Sequence, residues 1–234
     1  MEKWFPTLKG STRPLLSYVT PQPGNVVVRR VKTIESKGGT GTKPLQLFSC
    51  FENAETLFKY ILGRPESERD IHEIVLETQE QKPRFDIDIK YDSKTEKVAK
   101  ETMSRIRAQL KWISERMFPG TDVGLREYPS SGPGKESCHV ILTKLKHRGS
   151  AEAREFYLLM KSYVSAPYQR FIDPMVYGTT QNYRLLMCQK TGTDRPKLLG
   201  GEESGITQQE FEESLLGNVK GCTWVNLRGS SERR

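Results

Sequence analysis

Between Arg84 and Lys90 the chain alternates with a period of two: Phe85, Ile87 and Ile89 are apolar, while Asp86 and Asp88 are acidic. Successive side chains of an extended strand point to opposite faces, so this segment reads as a half-buried strand with three side chains in a core and two carboxylates side by side behind them. Asp is depleted in strands and like charges repel. Two carboxylates on one strand face therefore point to a bound cation, with a solvated edge strand as the alternative.

The same parity in the run Ser137-Cys138-His139-Val140-Ile141-Leu142 sets Lys135, Ser137 and His139 on one face and Cys138 and Val140 on the other. A cation-binding edge and an anion-binding edge result. A third element is Phe171-Ile172-Asp173-Pro174-Met175-Val176-Tyr177, followed by Gly178-Thr179-Thr180 and the run from Gln181 to Lys190. It reads as a hairpin with an acid at its base, on whose second strand Arg184 and Lys190 share a face if no bulge intervenes. Taken alone, an Asp before Pro reads as a turn initiator.

Taken in this order, the pieces resemble the archaeo-eukaryotic primase superfamily, in which a hydrophobic-flanked Asp-x-Asp, a Ser-x-His and a later hydrophobic-Asp form the polymerase site. The stretch with Val176, Tyr177, Asn182, Arg184, Leu185 and Lys190 is most similar to the PrimPol branch and the primase halves of viral primase-helicases. The resemblance covers roughly residues 44–190. It implies metal ligation by Asp86, Asp88 and Asp173, and triphosphate contacts from Lys135, Ser137, His139, Arg184 and Lys190, with Asn182 in the same pocket. It also implies a two-lobed α+β core whose later lobe carries the site on a recognition-motif-like antiparallel sheet, with nucleoside triphosphates as substrate.

Nucleotidyl transfer suits these residue types. Two divalent ions about 3.5 to 4 Å apart can activate a 3′-hydroxyl and stabilise the leaving pyrophosphate. Hard ions such as Mg²⁺ or Mn²⁺ prefer carboxylate oxygens. Arg184, Lys190 and Lys135 offset triphosphate charge, Arg through a planar fork and Lys as a point charge.

A content of 28% charged and 35% hydrophobic residues is that of a soluble globular domain. No apolar run is long enough to span a membrane and the start is not a signal peptide, so the expected location is intracellular, nuclear or cytoplasmic, or a viral replication site. Cys50, Cys138, Cys188 and Cys222 form no Cys-x-x-Cys pair, which argues against a zinc module, offers no disulfide framework and predicts free thiols. The net charge of +8 is concentrated early: Lys3, Lys9, Arg13, Arg29, Arg30, Lys32, Lys37 and Lys43 stand against Glu2 and Glu35. A basic leader over 1–43 fits contact with phosphate backbones, and Arg29, Arg30, Lys32, Lys37 and Lys43 are its candidate DNA contacts. The partners implied are single-stranded or primed template DNA and a helicase domain in the same or another chain. Residues 36–43 fail as a P-loop, because Thr42 precedes Lys43 and Pro44 follows it.

Strands are expected at 45–50, 73–77, 123–128 and 223–227. Helices are expected at 53–62, at 95–118 with a Ser93/Glu96 capping box, at 150–164, and after Thr207 with Glu210 as its box partner. The pattern is α+β: a basic leader over 1–43 whose strands pack on the core, a catalytic domain over 44–228 with a lobe boundary near 77, and a polar tail over 229–234. Two other functions compete with the polymerase. A metal-dependent nuclease would use Asp88-Ile89-Lys90 with Asp70 or Glu73, and a non-catalytic single-strand-binding domain would need aromatic residues on its sheet face.

Overall fold

The computed structural model describes residues 3–10, 14–35, 42–190, 195–199 and 205–226. In chain order the elements are β1 (Val26–Glu35), β2 (Thr42–Phe51), α1 (Ala54–Leu62), β3 (Ile71–Leu76), β4 (Arg84–Lys90), α2 (Glu96–Met117), β5 (Leu125–Pro129) and β6 (Lys135–Leu142). After these come β7 (Leu145–Lys146), α3 (Ser150–Tyr163), α4 (Ala166–Gln169), β8 (Thr180–Arg184), α5 (Gln208–Ser214) and β9 (Thr223–Trp224). The protein is α+β and divides into two units. One comprises Met1–Val75, Asn182–Lys197 and Gly205–Leu215, the other Leu76–Gln181, Leu198–Ser204 and Leu216–Arg234.

The first unit is built on a sheet of order β2-β1-β3-β8. β1 pairs antiparallel with β2 along its whole length and with β3 through Val28↔Glu73, Arg29↔His72 and Arg30↔Ile71. Within the basic leader the β-branched run Val26-Val27-Val28 supplies an inner strand of this sheet. Helix α1 starts at Asn53, whose side chain accepts from the Thr56 amide, and buries Ala54, Leu57, Phe58 and Ile61. Helix α5 begins with a complete capping box between Thr207 and Glu210, and its buried Phe211 meets Phe58 at 5.1 Å between ring centroids.

In the second unit, β4, β6 and β5 form an antiparallel sheet in that order. The apolar faces of β4 and β6 pack against the stripe Ala99, Met103, Ile106, Leu110 and Ile113 of α2 and against Ala153, Phe156, Tyr157 and Met160 of α3. Both helices thus cover one side of the sheet, which leaves Asp86 and Asp88 on the other. At about 25 cal/mol per Å² of apolar area, this shared core outweighs the poor strand propensity of the two aspartates.

Four local expectations are corrected. Ser93 and Glu96 form no capping box; the Asp92 carboxylate instead accepts from Lys94 N, Thr95 N and Thr95 Oγ1 ahead of α2. The segment after Asp173 is not one arm of a hairpin, because Pro174–Val176 winds into a 3₁₀ turn and β8 joins the first unit's sheet. β8 also stops at Arg184: Cys188 N turns back onto Leu185 O, and Met187 takes φ 63°, so Lys190 shares no strand face with Arg184. The final strand is only the two-residue β9, and the P-loop-like run 36–41, with Lys37, lies outside the described residues.

Candidate active site

Register alone brings the two motifs together. In the β4–β6 pairing Asp86 stands opposite His139, Asp88 opposite Ser137 and Lys90 opposite Lys135. Directly opposed residues on one sheet face have Cβ atoms roughly 5 Å apart, so acids and phosphate-type donors interleave. Ser137 Oγ donates to Asp88 Oδ1 at 2.8 Å, and Lys135 Nζ lies 2.7 Å from the same oxygen. His139 Nε2 is 3.5 Å from Asp86 Oδ1, in ion-pair range if the ring is protonated but too long for a hydrogen bond. The side chains of Asp86 and Asp88 are 20% and 36% exposed and that of His139 only 8%, so the carboxylates can be reached from solvent over a buried donor floor.

Asp173 arrives by a single bridge. Ile87 and Ile172 pair antiparallel, with Asp88 N donating to Phe171 O at 2.9 Å and Asp173 N to Asp86 O at 2.8 Å. Asp173 therefore stands opposite Asp86, with the parity of Asp86 and Asp88 and against that of the buried Ile87 and Ile172. Its Oδ1 accepts from Met175 N at 2.9 Å, which fixes the carboxylate at the head of the 3₁₀ turn.

Side chains that sequence reading missed hold this bridge in place. The Ile172 carbonyl accepts from Tyr157 Oη at 2.9 Å and from Lys161 Nζ at 3.0 Å, one helical turn apart on α3. Burial lowers the Lys161 ammonium pKa, against the attraction of Asp173, and pushes the Tyr157 hydroxyl up. Arg84, fully buried, donates to Gln81 Oε1 at 2.8 Å and to Val176 O, with its guanidinium 4.8 Å from the Tyr177 ring centroid. Tyr177 Oη donates to the Arg84 carbonyl, and burial raises its pKa to about 12. The i, i+4 spacing of Tyr157 and Lys161 was a readable signal, whereas a fully buried Arg at a strand start was not.

The structure thus gathers Asp86, Asp88, Asp173, Lys135, Ser137 and His139 on one sheet face of the second unit. Asn182, Arg184 and Lys190 belong to the first unit, where Arg184 donates to Arg195 O at 2.7 Å while Asn182 and Lys190 are exposed. Among the leader candidates Lys32 is exposed, Arg30 stacks on Trp4 at 4.7 Å and donates to Tyr60 Oη at 3.3 Å, and Arg29 faces His72 across the sheet. Lys43 lies on β2 opposite Ile34.

Three carboxylates on one face are the right donors for Mg²⁺ or Mn²⁺. Among the described residues no three His, Cys, Asp or Glu side chains stand ready gathered as a metal cage. Asp88 Oδ1 is already held by Lys135 and Ser137, so a metal ion at Asp88 would take its second oxygen or displace Lys135. The four cysteines are free thiols, and burial pushes Cys138, behind Asp86 and Asp88 in the core, up to about 12.

No protein-family model matches the chain, and no curated protein matches it. Fold and site define an α+β protein with an acidic triad on the open face of an antiparallel sheet. No described helix is long and apolar enough to cross a membrane.

Proposed function

We propose that this protein is a template-dependent nucleotidyl transferase of the primase-polymerase type, which adds nucleoside triphosphates to a 3′-hydroxyl. The observation that carries the reading is the register that sets Asp86, Asp88 and Asp173 on one face with Lys135, Ser137 and His139 between and beside them. Strand order adds support. The 171–173 segment lies outside β4, which lies beside β6 and then β5, and the chain runs β4-α2-β5-β6-α3 before returning at Ile172. That is the split β-α-β order of recognition-motif-like sheets, and with it the two-lobed primase core belongs to the proposal.

Divalent ions held by Asp86, Asp88 and Asp173 would supply Lewis-acid activation of the 3′-hydroxyl and charge neutralisation at the leaving pyrophosphate. The chain's own residues bind and orient. Ser137 keeps Asp88 in one rotamer through its 2.8 Å bond and in turn accepts from Ser130 Oγ at 3.2 Å. Lys135 can exchange its 2.7 Å contact with Asp88 for a phosphate oxygen, which releases the carboxylate as substrate arrives. His139 donates to a phosphate oxygen; no general-base role is assigned to it. Arg184, Lys190 and Asn182 are the residues that the resemblance gives to the triphosphate. Lys32, with Arg29, Arg30, Lys37 and Lys43, is the leader's contribution to template DNA, and a helicase domain is the proposed partner.

Incubation with a labelled primer-template, deoxynucleotides and Mn²⁺ tests the reading on one gel. A lengthened primer that disappears with Asp86→Asn supports it. Shortened products would mean a nuclease, and an unchanged primer under saturating binding would mean a single-strand-binding domain.

A further inference from the structure

Across the β1–β3 ladder of the first unit Arg29 and His72 are directly opposed, so their side chains share one face of the sheet. β8 lies beside β3, with Leu185 N donating to Ile71 O, which brings Arg184 next to His72. Lys197 is fully buried here, its Nζ bonded to Arg184 O at 2.9 Å and 3.9 Å from the Tyr183 ring centroid. The positive charges of Arg29 on β1, Arg184 on β8 and Lys197 in the 195–199 segment all act on this one histidine. Just ahead of β3, Asp70 is an acidic neighbour that interacts with Arg29, Arg30 and Arg64 while burial pushes its carboxyl up, and the buried Glu73 of β3 lies opposite Val28 with the other parity. Buried Arg29 Nε and buried His72 Nδ1 have no hydrogen-bond partner. An unmatched buried donor on Arg29, an unpartnered ring nitrogen on His72 and an excess of positive charge on one part-buried surface call for an anion.

We infer that Arg29, His72 and Arg184 form a phosphate-binding seat on the first unit's sheet, in which His72 Nδ1 takes up a proton as the anion arrives. Arg29 and Arg184 present planar donor forks suited to phosphate oxygens. His72 also feels the Asp70 backbone, its Nδ1 has no hydrogen-bond partner, and protonation of the ring makes both nitrogens donors. Burial, with the charges of Arg29, Arg184 and Lys197, holds this imidazole far down, at about 3. A phosphate among those cations reverses the field, and protonated Nδ1 then donates to it while solvent supplies the proton. The sequence resemblance gives Arg184 to the triphosphate and assigns nothing to His72. The inference rests on the proposed polymerase reading only in naming a phosphate of nucleotide or template as the natural ligand.

The probe is inorganic tripolyphosphate, titrated into the metal-free protein by calorimetry at pH 6 in two buffers of different ionisation enthalpy. Binding with net proton uptake is expected. Uptake should vanish in His72→Gln, and affinity should fall roughly tenfold or more in Arg29→Gln. The three histidines make the His72 ring resonances assignable, so a shift of those signals on adding tripolyphosphate to the unaltered protein tests the seat even if a variant fails to fold. No uptake, an unmoved His72 signal, or wild-type affinity in Arg29→Gln would overturn the seat. An inactive primer-extension assay with intact tripolyphosphate binding would sink the polymerase reading alone, and active extension with unaltered binding in both variants would sink only the seat.

Discussion

Asp88 carries two partners on one oxygen, and Asp86 and Asp173 face each other across a single bridge, so the three carboxylates do not contribute alike. Under the proposed function, Asp86→Asn or Asp173→Asn keeps shape and removes a carboxylate charge that would hold a catalytic ion. Incorporation is expected to fall by three orders of magnitude or more, several kcal/mol of transition-state stabilisation, with melting unchanged. A near-normal single-turnover rate for either would remove that residue from the site. At another buried position the pH tells. His147 is fully buried against Phe156, and burial with the nearby Arg84 charge pushes its pKa down to about 4. A folded pKa below the unfolded value of about 6.5 means that the unfolded chain binds the proton first, so the stabilisation is complete above pH 6.5 and drains away as pH falls towards 4, by about 1.4 kcal/mol per pH unit. His72 in the first unit carries the same sign. Thermal melts at pH 7, 6 and 5 should show this slope flatten in His147→Phe; an identical slope would show that His147 titrates normally. At this scale the sequence was most readable, because alternation of Phe85, Ile87 and Ile89 with Asp86 and Asp88 is a purely local signal.

Elements were readable where one periodicity ran uninterrupted, as over Ala99, Met103, Ile106, Leu110 and Ile113 in α2. They were misread where tertiary contacts overrode local pattern. The hairpin expected after Asp173 does not form, since Arg84 and Tyr177 tie the 3₁₀ turn to the start of β4. The bridge at Ile172 is too short to show a strand pattern, yet α3 clamps it through Tyr157 and Lys161. Removing one donor leaves the carbonyl the other, whereas Tyr157→Phe with Lys161→Met leaves a buried acceptor unsatisfied at about 1–3 kcal/mol. The double variant is expected to lose about tenfold in kcat and to need more Mn²⁺ for half-maximal incorporation, because Asp173 is no longer held at its station. Melting alone cannot separate positioning from stability, but the Mn²⁺ midpoint can: an unshifted midpoint would reduce the clamp to a structural role.

At the scale of the whole molecule, the chain leaves the first unit at Val75 and returns to it twice, through Asn182–Lys197 and Gly205–Leu215. Nothing local announces such returns. The short α5 shows only its cap in sequence, and its destination is set by Phe211 meeting Phe58, a pairing across more than half the chain that no periodicity encodes. That contact gives the last prediction. Phe211 is fully buried, so Phe211→Ala deletes its ring contacts and leaves a cavity beside α1, a change that costs about 3–5 kcal/mol. If the two units unfold as separate cooperative blocks, the loss falls on the first alone. Hydrogen exchange should then quicken for amides of β1, β2 and α1 by two orders of magnitude or more, while β4 and β6, sealed by α2 and α3, keep their protection. Mn²⁺-dependent properties of the Asp86, Asp88 and Asp173 face should persist in that variant, since all three are carried by the second unit. Equal loss of protection in β4 and β6 would show instead that the chain folds as one cooperative whole and that the twice-returning segments stabilise the carboxylate face as well.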